Sequence, residues 1–192
     1  PFVTVAGRGF YERPEIRDIL NILRALADPA DDLAMAGLLR SPAFGLSDSA
    51  LYLLRHHGGK KSSYWNALRE DISYLSESDQ ACTRRAVSIL NDLLPRVDRE
   101  SVADLLKELV NAVDYRAVLA IDDERSSNGR LWRNLDKLIA DAQSSGLISV
   151  RDFLEYLITL NDVGTREGEA PAEAQGAVRL MTIHKSKGLE FP

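Results

Sequence analysis

Cysteine is nearly absent: the one in 192 residues, Cys82, allows no internal disulfide and no multi-cysteine metal site. No apolar run approaches the roughly 18 residues of a membrane-spanning helix. Nothing at the start resembles a basic-then-apolar secretory signal. A reducing, cytoplasmic setting away from the membrane is the default that follows. Positive charge is also short, with 24 Lys+Arg against 29 Asp+Glu and a formal net charge of −5. That balance excludes a protein coated in basic residues for nucleic acid, so any phosphate contact must come from local clusters or backbone N–H groups. No fixed-period repeat is present, which argues against a solenoid. What remains is a 45% hydrophobic chain, enough to bury the core of one domain or of one domain plus pieces of a second.

The apolar residues that are present fall mostly at helical spacing. Pro14 suits a first helical turn and is followed by Ile16, Ile19, Leu20, Leu23 and Leu26, with Pro29 as the stop. Asp31 or Asp32 can cap a short helix to Leu39, broken by Ser41-Pro42. Ser47 can cap the next, through Leu51, Leu53 and Leu54 to Gly58-Gly59. A longer helix is expected over about 79–94 on Ala86, Ile89, Leu90, Leu93 and Leu94. Ser101 caps another through Val102, Leu105, Leu106, Leu109, Val110 and Val113. The pattern Leu131, Leu135, Leu138, Ile139, Ala142 predicts a helix ending at Gly146. Ser149 and Asp152 form a capping-box-like pair for a last helix burying Phe153, Leu154, Leu157 and Ile158.

The ends read differently. Phe2-Val3-Thr4-Val5 and Ala177–Ile183 have strand-like patterns, and 163–176 reads as a flexible linker with almost no large apolar residue. Two strands do not make a stable sheet alone. The expected fold class is therefore mainly α, a helical block inserted between two strands of a larger, incomplete α/β domain. The expected divisions are 1–13, 14–162, 163–176 and 177–192. Pro1 leads straight into a strand, and the last residues carry no polar tail, so a piece of a longer protein is expected.

The densest chemistry lies in Val178-Arg179-Leu180-Met181-Thr182-Ile183-His184-Lys185-Ser186-Lys187-Gly188-Leu189-Glu190-Phe191-Pro192. Ligands of open α/β sheets bind at the carboxyl ends of strands. Two lysines for phosphate, a glycine for close approach and a glutamate for a sugar hydroxyl fit a nucleotide there. Lys185-Ser186-Lys187-Gly188 is not a P-loop, because the G-x-x-x-x-G-K-[ST] order is missing. Gly7-Arg8-Gly9 is only half of a dinucleotide fingerprint.

The 178–192 stretch resembles motif V of the UvrD/Rep/PcrA-type superfamily 1 DNA helicases, and its Ile-His-Lys-Ser-Lys-Gly form is closest to the AddA and RecB helicase-nuclease subunits. The stretch Gly7-Arg8-Gly9-Phe10-Tyr11-Glu12-Arg13-Pro14-Glu15-Ile16-Arg17-Asp18 is similar to the family's Gly-Gly-x-x-Phe-Phe-x-Arg-x-Glu-Ile-x-Asp signature, with Tyr11 replacing the second Phe. Leu38-Leu39-Arg40-Ser41-Pro42-Ala43-Phe44-Gly45-Leu46-Ser47-Asp48 and Arg130-x-x-x-Asn134-Leu135-x-x-Leu138 resemble segments of the family's inserted 2B subdomain.

The resemblance implies an ATP-dependent DNA helicase or translocase acting in repair or recombination, with ATP and Mg2+ in the parent protein. Residues 14–162 become its 2B-like block, and the flanking pieces become parts of a RecA-like domain, 2A. It implies that His184 and Thr182 meet single-stranded DNA and that Lys187, Gly188 and Glu190 line the nucleotide. Arg13 is left open between a DNA phosphate and pairing with Glu15 or Asp18. A duplex-phosphate surface is implied at Gly45, Ser47, Arg55, Lys60 and Lys61, although the family's Gly-Ile-Gly turn is here Gly45-Leu46-Ser47. Phe10, Tyr11, Trp65 and Trp132 are expected to pack, and Asp122-Asp123-Glu124 reads as a solvated turn; no metal site is expected. His56-His57 reads as a helix end where imidazole meets the dipole. Walker A and B residues are missing from the sequence, so this piece by itself is expected to bind no nucleotide and to be inactive. The alternative is a protein-interaction module that docks a second helicase-nuclease subunit.

Overall fold

The computed structural model describes residues 2–4, 10–57, 62–123, 129–162 and 178–180. Among them the chain is mainly α. The described helices run in the order α1 (Pro14–Ala27), α2 (Asp32–Arg40), α3 (Asp48–His56), α4 (Tyr64–Ala67), α5 (Glu77–Leu93), α6 (Val102–Ala112), α7 (Tyr115–Asp123), α8 (Arg130–Ser145) and α9 (Val150–Asp162). Two short strands, β1 (Phe2–Thr4) and β2 (Val178–Leu180), bracket the helices and pair in parallel, with Phe2 opposite Val178 and Thr4 opposite Leu180.

The helix starts follow their capping residues. Asp31, rather than Asp32, caps α2 by accepting from the N–H groups of Leu33 and Ala34. Ser47, Ser76 and Ser101 cap α3, α5 and α6 through their hydroxyls. Each satisfies a first-turn N–H that would otherwise lack a partner. Ser149 does the same for α9, accepting from Asp152 N–H at 3.2 Å. Two helices had no clear signal: α4 is a single turn capped by Ser63, and α7 carries little beyond Tyr115 and Leu119 on its buried side.

Helix α1 is the hub. The pattern predicts one apolar face, but Ile22 and Ala25 are as fully buried as Ile16, Ile19 and Leu23. A helix apolar on more than one side belongs at a centre, and α1 accordingly packs against α2, α8 and α9. Gly37 lets α2 lie close: a Cβ there would sit 2.6 Å from the Asn21 side-chain nitrogen of α1. Around this hub, α8 packs on α6 and α7, and α5 on α6. One burial expectation fails. Ile158 is 57% exposed, because α9 presents Phe153 and Leu157 to the core and Ile158 lies well around the helix from that face. Cys82 is half-buried and unpaired. Among the described residues no helix is long and apolar enough to cross a membrane.

Candidate nucleic-acid interface

Two of the sequence signatures, far apart in the chain, meet in one clasp between α1 and α8. Glu15, 8% exposed, accepts a 2.8 Å hydrogen bond from the amide of Asn134, which is fully buried. Asn134, Lys137 and Asp141 follow at i, i+3 and i+7, one face of α8. Lys137 lies 4.6 Å over the Phe10 ring and pairs with Asp141 at 2.8 Å. Tyr11 donates to that same Asp141 at 3.2 Å. Phe10 and Tyr11 are both buried, so they pack rather than offer ring faces. Tyr115 of α7, also buried, closes the clasp by donating to the Glu15 carbonyl at 3.0 Å.

An open cleft of about 370 Å3 adjoins this clasp, with Arg13, Glu15, Asp18, Tyr115 and Arg130 in its wall. Burial pushes the Asp18 carboxyl up from its ordinary range, partly offset by the Tyr115 hydroxyl and by Arg17. Arg13 sits half-buried at the N-cap of α1 with extended backbone, φ −63° and ψ 140°. It lines the same cleft as both acids that the sequence offered as its partners.

The turn between α2 and α3 is closed upon itself. Gly45 takes φ +70°, a left-handed conformation suited to glycine. Its N–H bonds to the Ser41 carbonyl at 2.8 Å, and that of Leu46 to the Leu39 carbonyl at 3.0 Å. Ser47 donates its N–H and its hydroxyl to the two carboxylate oxygens of Asp79, each at 3.0 Å. Arg85 braces the turn from below, donating to the carbonyls of Ala43 and Val113, each at 2.8 Å. Every N–H from Phe44 to Ser47 thus has a protein acceptor. An incoming phosphate at Ser47 would have to displace a carboxylate already held there. The Asp79 carboxyl is kept below its ordinary value first by the Ser76 hydroxyl and then by the Ser47 N–H.

Of the basic residues Arg40, Arg55, Lys60 and Lys61, the two that are described are paired. Arg40 meets Asp48 at 2.8 Å in an exposed ion pair. Arg55 pairs with Asp32, donates to the Ser62 carbonyl at 2.7 Å and lies over the Tyr64 ring at 5.5 Å. Asp32 also accepts from the Tyr64 N–H at 2.9 Å, so the pair ties α2, α3 and α4 together. Trp65 lies half-buried beneath Arg69, and Trp132 beneath Arg116, each guanidinium 5.4 Å from the ring.

Lys60 and Lys61, the motif V positions Thr182, His184, Lys187, Gly188 and Glu190, and the 163–176 linker lie outside the described residues. So do the side chains of Asp122, Asp123 and Glu124. Reading the sequence missed Tyr115, Asp79 and Arg85. Tyr115 and Leu119 alone make no apolar stripe, and the other two act across 32 and 42 residues, where sequence spacing carries no signal.

All 192 residues match one family, described as the UvrD-like helicase C-terminal domain. Relatives include an ATP-dependent helicase/nuclease subunit from Natranaerobius thermophilus, 28% identical over 202 residues, an alignment that takes in 100% of this chain and 16% of that protein. The protein of the same name from Bacillus cereus is 30% identical over 192 residues, 96% of this chain and 15% of its own length. The chain thus spans about one-sixth of the length of the curated relatives it matches. With a match over its full length, the chain belongs to the UvrD-like helicase C-terminal domain family.

Proposed function

We propose that this chain is a regulatory and DNA-engaging part of an ATP-dependent DNA helicase or translocase, working in repair or recombination. The observation that carries the reading is the pairing of β1 with β2: the whole helical block leaves one strand and returns to its parallel neighbour. Parallel pairs belong to larger, covered α/β sheets. This supports a 2B-like block, 14–162, inserted into a RecA-like domain represented by 1–13 and 177–192. The motif V stretch begins with β2, so in sequence its polar residues come after the carboxyl end of a strand, where such sheets bind ligands.

In this reading ATP and Mg2+ serve the whole protein, and this segment contributes Lys187, Gly188 and Glu190 toward the nucleotide. His184 and Thr182 face the single strand. ATP supplies the energy of translocation, and the helical block rotates relative to the motor and tunes unwinding. Within the block, the turn at Gly45 and Ser47 and the Asp32–Arg55 pair are engaged with protein groups. Duplex contact is therefore assigned foremost to Lys60 and Lys61, with Arg13 as a second candidate, and to Gly45, Ser47 and Arg55 only on rearrangement. A second reading, docking of a partner subunit, draws on the exposed Leu33, Tyr52 and Leu53 of α2 and α3.

Fluorescence anisotropy of the chain against a tailed duplex and a blunt duplex, across a salt series, tests the proposal. Tighter binding to the tailed duplex that weakens with salt is expected, the log–log slope giving about 0.9 per phosphate neutralised. Equal affinity of wild type and a Lys60→Glu/Lys61→Glu variant would move the contact elsewhere. No binding at low salt would favour the docking reading.

A further inference from the structure

The far end of α3 carries aromatic rings that the core does not use. Tyr52 is 65% exposed, and His56, one turn on, lies with its ring centroid 4.8 Å away at 37°. The next residue, His57, is exposed as well, and its ring stacks on Tyr74 at 3.6 Å and 5°. The neighbouring rings are already covered. Arg55 lies over Tyr64 and Arg69 over Trp65, so these two spend a face on guanidinium groups. One of the chain's three histidines thus sits against an exposed tyrosine at a helix C-terminus, and a second stacks on the half-buried Tyr74. The sequence around them, from 49 to 69, holds four Lys/Arg and no acid in a chain of net charge −5.

We propose that the Tyr52–His56 pair, continued by His57 on Tyr74, is a stacking platform for the unpaired bases of a nucleic-acid single strand. The proposal rests on the reading of this block as DNA-engaging, but it assigns a different contact: base faces on rings rather than phosphates on amides or lysines. Every base has a π face, so such a platform binds without sequence preference and tolerates any strand threaded past it. Tyr and His expose flat rings with few rotatable bonds, and the existing Tyr52–His56 and His57–Tyr74 contacts hold those rings in place. Along the sequence the stretch 49–69 contributes Arg55, Lys60, Lys61 and Arg69 and no acid, while from outside it Asp32 pairs with Arg55 and Asp71 acts on His57.

The test uses the 192-residue chain, a short single strand and a strand of equal length whose central positions are abasic. Wild type is expected to bind the intact strand more tightly than the abasic one, by about five- to 150-fold for each base stacked. Tyr52→Ala/His56→Ala should lose that same factor on the intact strand and lose nothing further on the abasic strand. Tyr52→Phe, which keeps the ring, should bind like wild type. Matching thermal unfolding of the variants is expected, because both side chains are exposed. Equal affinity of wild type for intact and abasic strands, with the usual salt dependence, would overturn the platform while leaving phosphate contact and the broader reading intact. If neither strand binds at low salt, the platform and the DNA reading of this block both fall, leaving the ring-bearing face to a protein partner.

Discussion

The clasp between α1 and α8 and the outer end formed by α2, α3 and α4 both hold helices together through an acid, yet they do it in different solvents. At the clasp, Glu15 and Asn134 are withdrawn from water, and the partner is a neutral amide. At the outer end, Asp32 meets Arg55 with side chains 29% and 19% exposed, and Asp79 meets Ser47 in an exposed bond. A buried polar group that loses its partner bears the full cost of desolvation, whereas an exposed one turns to water. The clasp therefore fixes which helices pair, and the outer contacts adjust a surface.

Substitutions can break that contrast. Asn134→Ala strands the Glu15 carboxylate in the core and should cost about 3 kcal/mol, read as a lower urea midpoint. Glu15→Gln keeps an acceptor for Asn134 and should cost about 1 kcal/mol; if it proves as damaging as Asn134→Ala, the charge rather than the geometry holds the clasp. Arg55→Ala removes a half-buried pair but leaves Asp32 bound to the Tyr64 N–H, and should cost about 1–2 kcal/mol by the same measurement. An effect as large as that of Asn134→Ala would erase the distinction between the two regions.

The smallest effect belongs to Asp79→Ala, about 0.5–1 kcal/mol at neutral pH, since its bonds are exposed. Its sign with pH is fixed by the direction of the shift. The folded-state value lies below the ordinary 3.8, so the ionised group's contribution is complete above 3.8 and disappears as pH falls through the depressed value. Thermal unfolding of wild type and Asp79→Ala should therefore converge in strong acid. A gap that stays constant down to that range would mean that the carboxylate's charge contributes nothing.

The helical character of the block was legible because its caps and its apolar spacing agree: Asp31, Ser47, Ser101 and Ser149 each stand one residue before a helix that an apolar stripe also marks. Helix α7 was not, because Tyr115 and Leu119 alone do not make a stripe. Its place is set by tertiary bonds from Tyr115. Ile158 was misjudged for the converse reason, an apolar residue that fits the spacing but has no facing element. For the interface, the family resemblance pointed to Gly45, Ser47 and Arg55, but their partners Asp79 and Asp32 come from other helices. Charge counted along a segment cannot register an acid that arrives from 23 or 32 residues away.

The clasp also has a consequence in time. Glu15 is made 119 residues before Asn134. At the usual pace of synthesis, about 5–20 residues per second, roughly 6–24 s separate the two. Throughout that interval α1 can settle on α2, but the faces it keeps for α8 and α9 remain bare. A nascent chain paused in this window would show the hub of the finished block as an apolar rod with an unmatched carboxylate near its start, the kind of surface that chaperones hold.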